Sequence, residues 1–253
     1  MSSREKKLKI IQLTDLHLFQ DDSRLFEIYP DQTFQTVIKN AQEDLADADA
    51  VFLTGDLSQD ETMKSYEIIA NSLKDFNHKI FWIPGNHDSI ANMKSVFHQK
   101  NHFVSEKLFL TEIWDFVFLN TKKEGVEFGL LEEKEFEFLA CELKKKRTKP
   151  IAIVMHHHPI EVSTPLIDKY ILQNKEEFFS IIKWSRVHLI ICGHVHNDYS
   201  LHYHNIHIET SPATSIQFKK GAIKLELEKQ IGYKIYYFSQ NDYMCQTKIW
   251  HLE

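Results

Sequence analysis

Apolar and polar positions follow one recurring order along this chain: a short apolar run, an abrupt polar turn, then a stretch with helical periodicity. Residues 9–14, 50–54, 80–83, 151–155 and 187–192 are runs too short for helices and rich in Ile, Val and Phe, which predicts buried strands. Between them, 33–46 carries Phe34, Val37, Ile38, Ala41 and Leu45 at helical spacing, and 61–76 carries Tyr66, Ile69, Ala70 and Leu73. Residues 90–100, 131–147 and 176–185 are predicted as further helices, and 107–121 as two strands with 114–119 the stronger. Strand, polar end and helix in repetition is the pattern of βαβ units. From 199 onward the texture changes to short alternating segments at 206–209, 222–227, 233–238 and 244–250, read as an antiparallel meander. No repeat, low-complexity tract or linker interrupts the chain. It reads as a single domain over 1–253, with the βα units at about 8–198 and the antiparallel strands at about 199–253.

The strand ends share one chemistry. The first delivers Asp15-Leu16-His17, the second Gly55-Asp56 and the third Pro84-Gly85-Asn86-His87-Asp88. The fourth ends in His156-His157-His158-Pro159 and the fifth in Gly193-His194-Val195-His196. Residues two apart on an extended segment point the same way, so Asp15 with His17, and His194 with His196, can serve one ion each. Neighbours alternate sides, so His156, His157 and His158 cannot all converge. Taken singly, each block also reads as a polar turn. Taken together, at the carboxyl ends of parallel strands, they would line one crevice. Asp15, His17, Asp56, Asn86, His87, His156, His194 and His196 are more ligands than one tetrahedral ion needs, and suit two ions sharing a carboxylate. An oxygen and nitrogen set without thiolate points to Fe, Mn or Zn. Two such ions clamp a phosphate and bring a bridging water towards neutral pKa, for in-line attack on phosphorus. His87, with Asp88 behind it, is the candidate to protonate the leaving alkoxide.

Composition narrows the setting. Of 253 residues, 43% are hydrophobic and 26% charged, as in a globular protein with a substantial core, and the net charge of −6 offers no overall basic field for nucleic acid. Cys141, Cys192 and Cys245 are too sparse for a disulfide framework, fit a reducing cytoplasm, and are expected as small apolar fillers. The N-terminal stretch 1–9 is charged and lacks the apolar core of a signal peptide, and no apolar run suits a membrane span. A cytoplasmic location is expected, without membrane or nucleic-acid partners, as monomer or homodimer. The basic run 144–147 reads as a solvated helix terminus before Pro150. His202, His204 and His207 read as surface strand positions.

In order, Asp15-x-His17, Gly55-Asp56, Gly85-Asn86-His87-Asp88, His156 and Gly193-His194-x-His196 resemble the pattern of the calcineurin-like metallophosphoesterases. The resemblance implies an α/β fold, a four-layer α/β/β/α sandwich with two mixed β-sheets flanked by helices. It implies that Asp15, His17, Asp56 and His196 hold a first ion. Asp56 bridges to a second, which Asn86, His156 and His194 complete. His87 is then the catalytic histidine, and His17, Asp56, Asn86, His87 and His196 face the substrate phosphate. Blocks 13–19, 54–60, 156–159 and 210–218 look like those of the bacterial class III 3′,5′-cyclic AMP phosphodiesterases, which hydrolyse cyclic AMP to 5′-AMP. Fe and/or Mn are the ions that resemblance favours, with Zn the alternative. One departure bears on base contact: before Asp168, where relatives often carry Trp-Leu, this chain has Leu166-Ile167. The same centre would serve a 2′,3′-cyclic nucleotide or a glycerophosphodiester, since it recognises phosphate and leaves the rest to loops. A phosphoprotein phosphatase is a weaker alternative, and a catalytically dead scaffold is disfavoured because every ligand position is filled.

Overall fold

The five apolar runs all form strands in the computed structural model, which describes residues 6–252, but they are divided between two sheets. The beginning of the charged N-terminal stretch and the last residue lie outside the described residues. In chain order the first strands are β1 (Leu8–Leu13), β2 (Ala50–Leu53), β3 (Lys79–Trp82) and β4 (Phe103–Val104). Then come β5 (Leu108–Leu110), β6 (Asp115–Phe118), β7 (Ile151–Met155) and β8 (Val187–Cys192). They are followed by β9 (Ser200–Tyr203), β10 (Ile206–Thr210), the short ribbon β11 (Gln217–Phe218) and β12 (Leu227–Glu228), and the hairpin β13 (Gln230–Phe238) and β14 (Tyr243–His251). One six-stranded sheet runs β14-β13-β1-β2-β3-β4 and the other β5-β6-β7-β8-β10-β9. In each, four adjacent strands are parallel and the remaining pairings antiparallel.

Helices α1 (Pro30–Asn40), α2 (Gln42–Ala46), α3 (Met63–Ser72) and α4 (Ile90–Phe97) lie in sequence between strands of the first sheet, and α1, α3 and α4 pack on its outer face. Of α5 (Glu133–Lys144), α6 (Pro165–Asp168) and α7 (Lys175–Ile182), α5 and α7 cover the outer face of the second sheet. Strand alternation explains the layering. Ile11 and Leu13 of β1 face the helices, while Ile10 faces the opposite sheet; Ile153 of β7 faces helices, while Ala152 and Val154 face inward. The result is the expected α/β/β/α sandwich.

Several boundaries differ from expectation. The 33–46 helix starts at Pro30, whose ring presets the first turn, and is split at Ala41, which takes φ −88° and ψ −1°. Residues 206–210 are not part of an antiparallel meander on both sides, because β10 runs parallel to β8. Most of 222–227 is a turn leaving Ile223 and Leu225 exposed, so its alternation reflects no sheet. Of the three free cysteines only Cys192 is buried, so the other two are not core fillers. No helix among the described residues is long and apolar enough to cross a membrane.

Candidate metal centre

The carboxyl ends of β1, β2 and β3 in one sheet meet those of β7 and β8 in the other, and all seven ligands implied by the resemblance gather there. The one crevice expected at the ends of the parallel strands lies between two sheets. The loop after β1 is tied to that after β2 by backbone bonds from Asp15 to Gly55 (3.0 Å), His17 to Asp56 (2.9 Å) and Leu18 to Leu57 (3.1 Å). Gln12 donates to Thr54 Oγ1 in its own sheet (2.8 Å) and to the Cys192 carbonyl of the other (2.9 Å), forming a polar floor beneath the ends.

The backbone there is strained. Nine non-glycine residues among those described have positive φ, and five are candidate ligands: Asp15 (53°), His17 (50°), Asp56 (50°), His194 (69°) and His196 (49°). Such conformations cost of order 1–3 kcal/mol each and persist only where the surroundings impose them. Space is equally tight. A Cβ on Gly85 would stand 2.1 Å from Asp56 Oδ1, and one on Gly55 2.5 Å from His156 Nδ1.

Ring orientation follows from the acceptors behind each imidazole. His156 Nδ1 faces the Thr54 carbonyl at 2.7 Å, and His196 Nδ1 the Ile216 carbonyl at 2.8 Å. A carbonyl only accepts, so both rings carry a proton on Nδ1 and turn Nε2 towards the ligand cluster. His17 Nδ1 lies 2.7 Å from Gln59 Oε1, while its Nε2 comes within 2.9 Å of His196 Nε2. Asp56 stands centrally, its Oδ1 accepting from the His87 N–H (2.9 Å) and its Oδ2 3.4 Å from His156 Nε2 and 3.8 Å from His17 Nε2. Asp15 accepts from the His194 N–H at 3.1 and 3.0 Å and lies 3.4 Å from His196 Nε2.

The donor set passes a direct test for cations. Nine buried side-chain atoms find no hydrogen-bond partner among the described residues, and three of them, Asn86 Oδ1, His156 Nε2 and His194 Nε2, belong to the ligands expected for one ion. Burying such atoms unpaired is costly unless something else satisfies them. Ligand atoms of Asp15, His17 and His196, and those of Asp15, Asp56 and His156, lie within 4.8 Å of one another.

The calcineurin-like phosphoesterase family profile matches residues 8–198. The chain belongs to this family. It is 34% identical over 247 residues, covering 96% of this chain and 97% of the other, to a probable cyclic nucleotide phosphodiesterase of Coxiella burnetii. It is 33% identical over 217 residues, 85% of this chain and 79% of the other, to a 3′,5′-cyclic adenosine monophosphate phosphodiesterase of Vibrio vulnificus. Purple acid phosphatase from yellow lupin shares the fold, with a TM-score of 0.69 and 14% identity over 97% of this chain and 52% of that one.

Burial sets the electrostatics of this phosphoesterase centre. Burial lifts the Asp15 carboxyl to about 7 and lowers His17 to about 4 despite the pull of Asp56. Burial also acts downward on His156, but the Asp56 carboxylate outweighs it and raises the imidazole to about 9. His194 and His196 are pushed well below the ordinary histidine value by burial and by neighbouring imidazoles. A cation would therefore find His17, His194 and His196 already neutral, and would have to displace the protons held by His156 and Asp15.

Asp88 is a correction. Its carboxylate does not back His87. It is fully buried and accepts from the backbone N–H groups of Leu57 (3.0 Å), Ser58 (3.0 Å) and Gly85 (2.9 Å) and from Tyr66 Oη (3.1 Å). It therefore locks the Asp56 loop to the Asn86–His87 turn. Neighbouring side chains on a turn diverge, which is why adjacency in sequence misled. His157 is held by Thr121 Oγ1 (2.7 Å) and the Glu127 carbonyl (3.1 Å), and buried His158 lies 3.7 Å from Asp168. Ile167 is buried against Val162 and Val195, so it has no surface free for a base. Two residues at the mouth carried no sequence signal. Lys122, nearly buried, donates to the Asn86 carbonyl (2.9 Å), and Glu127 accepts from Asn86 Nδ2 (2.7 Å), which fixes the Asn86 amide and leaves its Oδ1 buried without a partner.

Proposed function

We propose that this chain is a metal-dependent phosphodiesterase that hydrolyses 3′,5′-cyclic AMP to 5′-AMP in the cytoplasm, as one domain. The observation that carries the reading is the trio of unpaired buried atoms on Asn86, His156 and His194 beside the central Asp56. The names of relatives over most of the chain support the substrate.

In this reading Asp15, His17, Asp56 and His196 hold one ion, and Asp56, Asn86, His156 and His194 the other, with Fe and/or Mn favoured. Such a pair supplies Lewis acidity for a phosphoryl group and an activated water. The chain does the rest. The carbonyls of Thr54 and Ile216 keep Nε2 of two rings fixed in direction. Glu127 fixes the Asn86 amide, and Lys122 holds the Asn86 carbonyl. His87, with about one third of its side chain exposed, stands edge-on to His17 at 5.1 Å between ring centres, placed to donate to the leaving 3′-oxygen.

The test is turnover of 3′,5′-cyclic AMP by metal-stripped protein reloaded with Mn²⁺ or Fe²⁺, with 2′,3′-cyclic AMP and bis(p-nitrophenyl) phosphate alongside. Efficient 5′-AMP formation, absent without metal, is expected. Strong turnover of the synthetic diester with little of the 3′,5′ substrate would discard cyclic AMP, and no turnover of any diester would discard the enzyme.

A further inference from the structure

One side chain touches both His17 and His87. Gln59 Oε1 lies 2.7 Å from His17 Nδ1, and Gln59 Nε2 lies 3.2 Å from His87 Nδ1. An amide has one end that only accepts and one that only donates, so its direction determines what each ring must offer. His17 settles the direction. Its Nε2 points into the ligand cluster, 2.9 Å from His196 Nε2, and has to be bare to hold a cation. The His17 proton then sits on Nδ1 and donates to Gln59 Oε1. The NH₂ end of the amide is left facing His87 and donates to its Nδ1, so the His87 proton sits on Nε2.

We propose that Gln59 is a positioning residue which couples the tautomer of a ligand histidine to that of His87, so that His87 presents an N–H from Nε2. The inference rests on the reading of Asp15, His17, Asp56 and His196 as a cation site. That Nε2 lies on the open side of the ring, 3.7 Å from Glu127 Oε2 at the mouth of the crevice. It offers a hydrogen bond to the leaving oxygen of a phosphodiester without parting from its proton. A carboxylate at position 59 would accept from both rings and reverse His87; an aliphatic side chain would leave His87 without a fixed tautomer.

The two histidine tautomers have distinct ¹⁵N signatures, so long-range ¹H–¹⁵N spectra of the zinc-loaded protein test this directly, with the His87 signals assigned by their loss in His87→Gln. His17 is expected as the Nδ1–H form and His87 as the Nε2–H form. In Gln59→Glu, His87 is expected to switch to Nδ1–H while His17 keeps its form. In Gln59→Leu, His87 is expected to give a mixture. Two variants of different size and polarity keep the test open if one fails to fold. His87 in the Nδ1–H form in the parent protein, or unchanged in both variants, would overturn the proposal.

A kinetic arm separates positioning from bulk structure. Gln59→Glu with its metal content retained should lose about 10- to 100-fold in kcat on 3′,5′-cyclic AMP, the scale of other groups that orient a site. Bis(p-nitrophenyl) phosphate, whose leaving group needs no help, should be affected far less. Equal losses on both would overturn the link to the leaving oxygen. Should the parent protein hydrolyse no diester, the proposed function fails while the spectra still decide the role of Gln59.

Discussion

The two sheets meet in contrasting ways. Along their length they meet through Phe52, Phe81, Phe116 and Phe118, with ring centres 5.0–5.8 Å from Phe52, and through one buried ion pair, Lys234 of β13 with Glu209 of β10 at 2.7 Å. At their carboxyl ends they meet through imidazoles and carboxylates on left-handed backbone. The interior has unstrained strands and no unsatisfied groups among these rings; the ends collect strain and unpaired atoms together. The lesson is that stability and chemistry occupy adjacent but separate parts of one interface. The aromatic contact carries the free energy that lets the ends stay unfavourable without cations.

The sharpest way to break that separation is Asp56→Ala. It should lower turnover at least about 10³-fold, the scale of a lost electrostatic stabiliser, and reduce bound metal at both sites as read by elemental analysis. Full metal content with retained activity would remove Asp56 from its central role. Phe52→Ala should show the reverse. It should cost about 3–5 kcal/mol in denaturant unfolding, through the cavity left among its neighbours, while turnover per folded molecule is unchanged. His87→Ala comes next, with about 10²-fold lower kcat and both cations retained; loss of metal would make His87 structural instead.

The smallest effect concerns pH. Burial raises the Asp15 carboxyl from its ordinary value of 3.8 to about 7 in the folded chain. The folded, metal-free chain therefore holds a proton that the unfolded chain has released, and it loses stability as pH rises from about 4 to about 7. Cations compete with that proton. Their affinity should weaken by up to about tenfold per pH unit below 7, measurable by titration calorimetry at pH 6 and 8. Flat affinity across that range would mean that neither Asp15 nor His156, which must also give up a proton to a cation, is a ligand.

What could be read from the residues divides along the same line. The strand ends were legible because an apolar run that stops at Gly55, Gly85 or Gly193 beside Asp or His is a local signal. Their division between two sheets was not, since β2 and β7 are both short apolar runs and nothing in either names its neighbours; it entered only through family resemblance. Asp88 was misread because side-chain direction on a turn depends on torsion angles that residue order does not reveal. Lys122 and Glu127 lie in a loop without periodicity, and only the fold brings them to Asn86. Ile216 escaped for another reason: what it contributes is a carbonyl oxygen that every residue has.

That last contact has a genetic corollary. The acceptors that aim His156 and His196 belong to the main chain of Thr54 and Ile216, so no substitution can delete them. A saturation scan would score both positions by packing alone and would pass over their part in the centre. His17, by contrast, depends on the side chain of Gln59, which a single codon change removes. Two of these three imidazoles are therefore shielded from point mutation of their acceptors by the fold itself, and heritable variation in how the three are aimed enters at position 59.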